Sequence, residues 1–381
     1  MEESVSHRYA TADKNADSAQ AINDLAISPL SPTILASASN DHTVRLWNLD
    51  LEYAHQPLAA IFAGAGGHRE HILTISFHQT GTYLLSASAD AVINVWLVPS
   101  VPDENAGTDN TTKVEYPHFS SNEIHGDYVD CVRFYGDIIL SHAATTSGNE
   151  TRRPNAILLW RIDGFNSADP PPVDAPIPGT AQSFTRSAWG GSFQRLLTFD
   201  MPDTVPFYLR FSLFENMLAM GNTKSKLSFW DLAKIETGPQ LEDVVRTRRG
   251  TRGGRGRVSG LGRVTSSLGK AAQRQKQDEE MEDVDVDESE SMSVSIASRS
   301  QVDSATPGPA STSANSVADD GSPLTTDPRF DTSDPFRPIP PHHTVTVPKY
   351  NFTIRQCAWS NDGKWMIGVG EVGLLCLLKR W

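Results

Sequence analysis

The sequence predicts an all-β chain whose strands form repeated β-propeller blades. Five segments follow one order, in which an alternating apolar stretch, a turn and a run of small residues lead to a second alternating stretch that ends in Trp. The two clearest copies end at Trp47 and Trp96, 49 residues apart. That distance is close to the roughly 40–45 residues of a four-stranded blade plus a loop, so we expect one blade per copy.

Each copy holds runs of about 4–8 residues in two-residue alternation, bounded by Gly, Asn, Asp or Pro, which is typical of half-buried antiparallel strands. The first two copies read AINDLAISPLSPTILASASNDHTVRLWNL and HREHILTISFHQTGTYLLSASADAVINVWLV, and the other three end at Trp160, Trp230 and Trp381. Because one blade cannot bury its own faces, such units stack in arrays. The pattern therefore indicates a WD-repeat β-propeller with about five blades present.

We expect four parts along the chain. Residues 1–19 form a flexible N-terminus, residues 20–239 hold four blades and residues 344–381 hold the final blade. Between them, residues 240–343 pass from an Arg/Gly tract through an acidic run to Ser-, Thr- and Pro-rich sequence without strand periodicity. Such a composition cannot build an apolar core, so we predict a long disordered insertion there.

Charge and composition exclude several classes of function. The 381 residues carry a formal net charge of −13, which argues against general affinity for duplex nucleic acid. The three cysteines have no ligand spacing, so neither a disulfide framework nor a zinc site is predicted, and no motif calls for a cofactor. The N-terminus lacks the apolar core of a signal peptide, and the longest apolar run is short. We expect a soluble intracellular protein without a membrane contact.

One group of residues in the second copy resembles a catalytic triad. His68, Ser86 and Asp90 offer the base, nucleophile and orienting acid of a hydrolase. They also occupy the positions of the structural His–Ser–Asp–Trp tetrad of WD repeats, which Trp96 completes. We favour the structural interpretation because no strained GxSxG turn accompanies Ser86. We therefore predict no catalytic residues and no enzyme activity.

The predicted insertion begins with a basic tract, RTRRGTRGGRGR, from Arg246 to Arg257. Arg/Gly-rich tracts bind single-stranded nucleic acid through charge and stacking, and basic clusters also serve as nuclear import signals. The tract lacks interleaved aromatic residues, and the acidic run from Asp278 partly neutralises it. A linker or import signal is thus favoured over a weak nucleic-acid contact, which remains an alternative.

Longer motifs resemble one family in detail. The segments YPHFSSNEIHGDYVDCVRFYGDIILS from Tyr116 and FYLRFSLFENMLAMGNTKSKLSFWDL from Phe207 resemble the EED/extra sex combs family of Polycomb WD-repeat subunits. The segments SNDHTVRLWN, IFAGAGGHREHIL and IRQCAWS resemble the same family in the same order. The resemblance covers essentially all of the chain that is predicted to be ordered, including the segment between blades at Tyr116.

The resemblance implies a nuclear, seven-bladed, non-catalytic core subunit of Polycomb repressive complex 2. In that family, one end of the channel binds trimethyl-lysine of histone H3, and the opposite face binds a SET-domain methyltransferase, which the subunit supports and stimulates in gene silencing. The expected partners are therefore this catalytic subunit, other Polycomb subunits and the trimethylated histone tail. By motif, the methyl-lysine residues are Phe207 and Tyr208. The residues that line the channel beside them are Asn23, Arg133, Asp137, Arg210 and Arg355.

Two features depart from the family. Its other two cage aromatics lie in the first two blades, N-terminal to everything in this chain, so we expect either a sequence truncated at its N-terminus or a propeller completed in another way. Adjacent aromatics in a strand also point to opposite faces, which by itself would make one of Phe207 and Tyr208 a core residue. A general WD-repeat adaptor, in ubiquitin ligation or RNA handling, is the alternative function.

Overall fold

A computed structural model describes residues 20–144, 156–179, 184–205, 208–237, 328–347 and 351–380. All described residues belong to one compact unit. The predicted flexible N-terminus and most of the predicted insertion lie outside the described residues.

The described residues form 22 strands and little helix. In chain order the strands are β1 (Ile22–Ile27), β2 (Ile34–Ser39), β3 (Val44–Asn48), β4 (Leu58–Phe62), β5 (Ile72–Phe77), β6 (Tyr83–Ser88), β7 (Ile93–Leu97), β8 (Thr112–Val114), β9 (Phe119–Ser121), β10 (Val129–Tyr135), β11 (Ile138–Ala143), β12 (Ala156–Ile162), β13 (Thr185–Ser187), β14 (Phe193–Asp200), β15 (Ser212–Phe214), β16 (Met217–Gly221), β17 (Lys226–Asp231), β18 (Pro338–Ile339), β19 (His343–Thr346), β20 (Ile354–Trp359), β21 (Trp365–Gly370) and β22 (Leu375–Lys379).

Helical structure is limited to one short α-helix and three 3-10 turns within the described residues. The helix α1 covers Leu232–Thr237, and the 3-10 turns cover Leu51–Tyr53, Pro328–Phe330 and Glu371–Gly373. None of the described helices is long and apolar enough to cross a membrane. The expectation of an all-β class is confirmed.

The strands form five sheets that follow the five sequence copies. Each sheet starts from an inner strand and meanders outward, in the orders β1-β2-β3-β4-β8, β5-β6-β7-β9-β13, β10-β11-β12-β14-β18, β15-β16-β17-β19 and β20-β21-β22. Consecutive strands within each meander pair antiparallel, whereas β8 and β18 pair parallel with β4 and β14. The inner strands of neighbouring sheets pack together, β1 on β5 and β5 on β10.

Among the described residues, four apolar cores lie between neighbouring sheets. The core between the first two sheets, for example, joins Leu46 and Phe62 to Ile75 and Trp96. The three Trp residues that end the second, third and fourth copies, Trp96, Trp160 and Trp230, are all fully buried. Since each core is shared by two sheets, the sheets stabilise each other, as the stacking argument requires.

Part of the predicted insertion belongs to the blades. Within residues 328–343, which are predicted to belong to the insertion, Pro338–Ile339 form β18 at the edge of the third sheet and His343 begins β19. The rest of β19, residues 344–346, is predicted to belong to the final blade, yet His343–Thr346 pair with β17 in the fourth sheet. The β19 pairing gives the fourth sheet its outermost strand. The Pro-rich sequence at Pro338 concealed β18, because Pro is rare inside sheets and is confined to edges or first positions.

The first and fifth sheets each expose an apolar face within the described part of the chain. Leu25 and Ile27 on β1 are 58% and 64% exposed, and Leu375 and Leu377 on β22 are 69% and 63% exposed. The fifth sheet also has three strands among the described residues, where the other sheets have four or five. Among the described residues, each of these two sheets therefore packs against a neighbouring sheet on one face and exposes its other face.

Candidate functional site at the mouth of the inner strands

The site begins with an irregularity that recurs in the inner strands. Pairing with the second strand shifts register at the start of β1, β5, β10 and β20, where one residue is left out of the ladder. These residues are Asn23, Leu73, Asp130 and Arg355. A β-bulge re-aims a side chain and leaves backbone groups without ladder partners. The bulges therefore gather unpaired carbonyls and polar side chains at one end of the inner strands. We call this end, marked by the four bulged residues, the mouth.

Arg210, just before β15, satisfies these carbonyls. Its Nη2 donates to the carbonyl oxygens of Asn23 and Leu73 at 2.9 and 3.0 Å, and its backbone N–H donates to the carbonyl of Arg355 at 2.8 Å. Nη1 forms an ion pair with Asp24 at 2.6 Å, and both side chains are at most 10% exposed. Arg210 thus links the first, second, fourth and fifth sheets.

The Asp24 carboxylate favours the charged form of the buried Arg210 guanidinium because the two groups are in contact. Burial acts to lower the pKa of the Arg210 guanidinium, but the Asp24 carboxylate offsets this and the pKa is raised. Asp24 also accepts the backbone N–H of Ile75 at 3.0 Å. The sequence analysis missed Asp24. The available signal was an acid inside the apolar strand INDLAI, since a buried carboxylate needs a partner.

Tyr208 lies at this mouth with its side chain accessible. It is 38% exposed, and its backbone is left-handed with φ of 61°. Its hydroxyl donates to Asn23 Oδ1 at 3.2 Å, while Asn23 Nδ2 donates to Asn40 Oδ1 and to the carbonyl of Ile72. Phe207, the other predicted methyl-lysine residue, lies outside the described residues.

The other predicted channel residues are spread along the inner strands. Arg355 is at the mouth, where its Nη2 forms an ion pair with Glu371 at 2.6 Å. Arg133 is two residues before the end of β10 and donates to the carbonyls of Ile75 and Val132. Asp137 does not join the mouth. It follows the far end of β10, where it accepts the backbone N–H of Ser167.

The predicted tetrad residues of the second sheet lie together. His68 Nε2 is 2.8 Å from Ser86 Oγ, Trp96 Nε1 donates to Ser86 Oγ at 2.8 Å, and His68 Nδ1 is 3.4 Å from Asp90 Oδ1. Burial acts to raise the pKa of Asp90, but hydrogen bonding to His68 and the backbone N–H groups of Arg69 and Val92 lower it to about 2. Ser86 is fully buried, so no substrate can reach its hydroxyl in this arrangement.

Related contacts recur in other sheets. Trp47 Nε1 donates to Ser37 Oγ at 2.9 Å in the first sheet. In the third sheet Trp160 Nε1 donates to Ser141 Oγ at 2.9 Å, and His125 Nε2 is 2.7 Å from the same oxygen. The sequence analysis missed this third-sheet group because the long interruption after His142 separates its Trp from its Ser. A Trp–Ser hydrogen bond that recurs in three sheets is typical of a contact that stabilises the fold.

Two of the cysteines in the described part of the chain are deeply buried thiols. Burial raises the pKa of the Cys131 thiol to about 11 and that of Cys357 to about 12. Thiols with such pKa values are poor nucleophiles at neutral pH. No group of three or more His, Cys, Asp or Glu side chains among the described residues is arranged to hold a metal ion.

Comparison with protein families finds the model described as "WD domain, G-beta repeat", which matches residues 14–48 and 62–96. These are the first two sequence copies. The match agrees with the repeated sheets and with the Trp-centred contacts described above.

Three known proteins are informative. The Polycomb protein EED of Chaetomium thermophilum is 44% identical over 231 residues, which cover 56% of this chain and 39% of that relative. A chain in the crystal structure of the Chaetomium thermophilum polycomb repressive complex 2 matches with a TM-score of 0.67 and 32% identity, covering 96% of this chain and 74% of that one. A chain in the structure of that organism's complex with H3K27me3 and H3K27M matches with a TM-score of 0.66 and 31% identity, covering 96% and 74%.

This chain spans less than half the length of the curated EED relative. The structural match nevertheless extends over nearly all of this chain and about three quarters of its counterpart. Together with the WD repeats and the five meandering sheets, these similarities show that the chain is a WD-repeat β-propeller protein and belongs to the Polycomb EED family.

Proposed function

We propose that this chain is a non-catalytic scaffold subunit of a Polycomb repressive complex 2, and that Tyr208 contributes to a binding site for the trimethylated histone H3 tail. The observation that carries this proposal is an accessible aromatic ring in a left-handed backbone at the mouth of the inner strands. A structural neighbour at 31% identity was solved in complex with H3K27me3, which supports the same ligand here.

The chemistry of the ligand suits an aromatic side chain. A trimethylammonium group cannot donate a hydrogen bond, so a receptor must attract it through the negative faces of aromatic rings. The Tyr208 hydroxyl donates to Asn23 Oδ1 at 3.2 Å, which places the ring beside Asn23 at this end of the inner strands. Phe207 would be the second ring, and as Phe it would attract the cation more weakly than the Trp of the family pattern, because Trp is the best ring for this contact.

The proposed partners follow from the relatives. Relatives from fungal and plant sources are named as Polycomb proteins, so a SET-domain methyltransferase and other Polycomb subunits are the proposed binding partners and the nucleus is the proposed location. The general adaptor alternative is not favoured by these relatives. A nucleic-acid contact through Arg246–Arg257 remains a prediction outside the described residues.

Peptide titration tests the ligand. The full chain is titrated with an H3K27me3 peptide and with the unmethylated peptide of the same sequence, using fluorescence anisotropy. We expect preference for the trimethylated peptide, and we expect Tyr208→Ala to weaken its binding by about 10-fold, in line with about 0.5–2 kcal/mol per cation–π contact. Tyr208→Phe keeps the ring and should change affinity by less than about 3-fold. Equal affinity for the two peptides would refute the reader role.

Co-purification tests the complex. We expect a tagged full chain, expressed in its native cells, to recover a SET-domain methyltransferase from nuclear extract, and Tyr208→Ala to leave this recovery unchanged. Recovery of ubiquitin-ligase or ribonucleoprotein components without a SET-domain protein would support the adaptor alternative instead.

A further inference from the structure

A buried polar chain lies directly beneath the segment that carries Tyr208. Asp130 and His142 are both fully buried, and His142 Nδ1 donates to Asp130 Oδ1 at 2.8 Å. His142 Nε2 lies 3.3 Å from Thr204 Oγ1, and Thr204 is also fully buried. The three side chains connect the third sheet to the connection between β14 and β15.

The Thr204 hydroxyl joins this pair to its own segment. Its Oγ1 lies 3.3 Å from His142 Nε2 and 3.2 Å from the carbonyl oxygen of Met201. One hydroxyl thus contacts both the buried imidazole and the backbone three residues before it.

The buried pair of Asp130 and His142 contacts this connection at two points, one before Val205 and one after Tyr208. The first point is Thr204, whose Oγ1 lies 3.3 Å from His142 Nε2. The second carboxylate oxygen of Asp130 accepts the backbone N–H of Leu209 at 3.3 Å, immediately after Tyr208. Between these points Val205 is 57% exposed and Tyr208 is 38% exposed. Val205 and Tyr208 are thus flanked by two residues, Thr204 and Leu209, that bond to one buried pair, Asp130 and His142.

The anchored backbone is strained. Asp203 and Tyr208 both have left-handed φ values, 65° and 61°, a conformation that costs a residue other than glycine free energy and persists only where surrounding contacts impose it. The turn after β16 also holds the segment, because the carbonyl of Asp203 accepts from Thr223 N and Oγ1 at 3.0 Å. Beside Tyr208, the Asp130 carboxylate of the third sheet holds the segment by accepting the backbone N–H of Leu209.

We propose that Asp130, His142 and Thr204 are positioning residues that hold Tyr208 in its binding orientation. The proposal rests on the proposed reader function, which Tyr208 would carry. It goes beyond that function by assigning control of the ring to three buried residues that cannot touch the peptide. The polar chain is expected to set the affinity for trimethyl-lysine without contributing to the contact.

The test compares two substitutions of one residue. Thr204→Val keeps the shape of the side chain but removes the hydroxyl that bonds to His142, and Thr204→Ser keeps the hydroxyl. Ser86→Ala is the matched control, because it removes a buried hydroxyl from a His-containing group in the second sheet, away from Tyr208. Amide hydrogen exchange of residues 201–210 and affinity for the trimethylated H3 peptide are measured for each full-length protein, together with thermal stability.

We expect Thr204→Val to accelerate exchange in 201–210 and to weaken peptide binding by about 5–150-fold, the range given by one unsatisfied buried polar group. Thr204→Ser should stay near wild type in both. Ser86→Ala should lower thermal stability while leaving exchange in 201–210 and peptide affinity unchanged. The contrast between Thr204→Val and Ser86→Ala distinguishes a loss of affinity through misplacement of Tyr208 from a general loss of stability.

Three results would overturn the proposal: unchanged exchange in 201–210 for Thr204→Val, unchanged peptide affinity despite faster exchange, or an equal loss of affinity in Ser86→Ala. If the wild-type chain does not distinguish the two peptides, the reader function fails. The exchange data then still test whether Asp130, His142 and Thr204 hold residues 201–210. Faster exchange in Thr204→Val alone supports this role, and unchanged exchange refutes it.

Discussion

Asp24→Asn removes the negative charge from the buried ion pair with Arg210 while keeping the shape of the side chain. The guanidinium would then remain buried, at 10% side-chain exposure, with two backbone carbonyls and a neutral amide as its neighbours. Removing one partner from a buried ion pair costs about 3–5 kcal/mol, because the remaining charge is uncompensated. At about 2–4 °C per kcal/mol for a domain of this size, the melting temperature should fall by about 6–20 °C.

Urea unfolding measures this cost, with Arg210→Met and the double variant completing a thermodynamic cycle. We expect a coupling free energy of at least about 2 kcal/mol between the two side chains, since they are in direct contact. Asp362→Asn is the control. Its ion pair with Lys364 is 3.2 Å long but 71% and 50% exposed, and such surface pairs contribute about 0–1 kcal/mol. A coupling below about 0.5 kcal/mol would refute the claim that this pair links the sheets.

The remaining predictions concern acid stability and thiol reactivity. Because the pKa of Asp90 in the folded protein is about 2, below its ordinary value of 3.8, its carboxylate stabilises the fold above about pH 4 and loses that effect as the pH falls towards 2. Unfolding followed from pH 5 to 2 should show a steeper loss for wild type than for Asp90→Asn, and parallel curves would contradict this assignment. With pKa values of about 11 and 12, Cys131 and Cys357 should react with a disulfide reagent at pH 8 at least roughly 100-fold more slowly in the native state than in urea. Mass spectrometry identifies the labelled thiols, and rapid native labelling of Cys131 would show that the surrounding core opens readily.

The repeats were predictable because their signal is local. Strand alternation, turn residues and the terminal Trp of each copy all act within about 30 residues, and the five sheets follow the five copies. The contacts of His68, Ser86 and Trp96 belong to the same local register, since β6 and β7 are adjacent strands.

The mouth was only partly predictable because it depends on contacts between distant segments. Asp24 and Arg210 are 186 residues apart, and no local pattern pairs them. The bulges that bring Asn23 and Leu73 to the mouth are irregularities of strand pairing, which alternation alone does not reveal. Asp137 was grouped with the mouth by resemblance, although the length of β10 separates it from Asp130.

The parallel strands β8 and β18 come from long connections inside the following blade, β8 from the connection between β7 and β9 and β18 from the connection between β17 and β19. Each covers the outer edge of a sheet, beside β4 and β14, where unpaired backbone groups would otherwise invite another chain to add a strand. Shortening these connections to obtain a more compact protein would expose two edges at once. Engineered deletions there would therefore favour aggregation even if every residue of the mouth stayed in place, whereas a trimmed connection that retains Thr112–Val114 or Pro338–Ile339 would keep the edges covered.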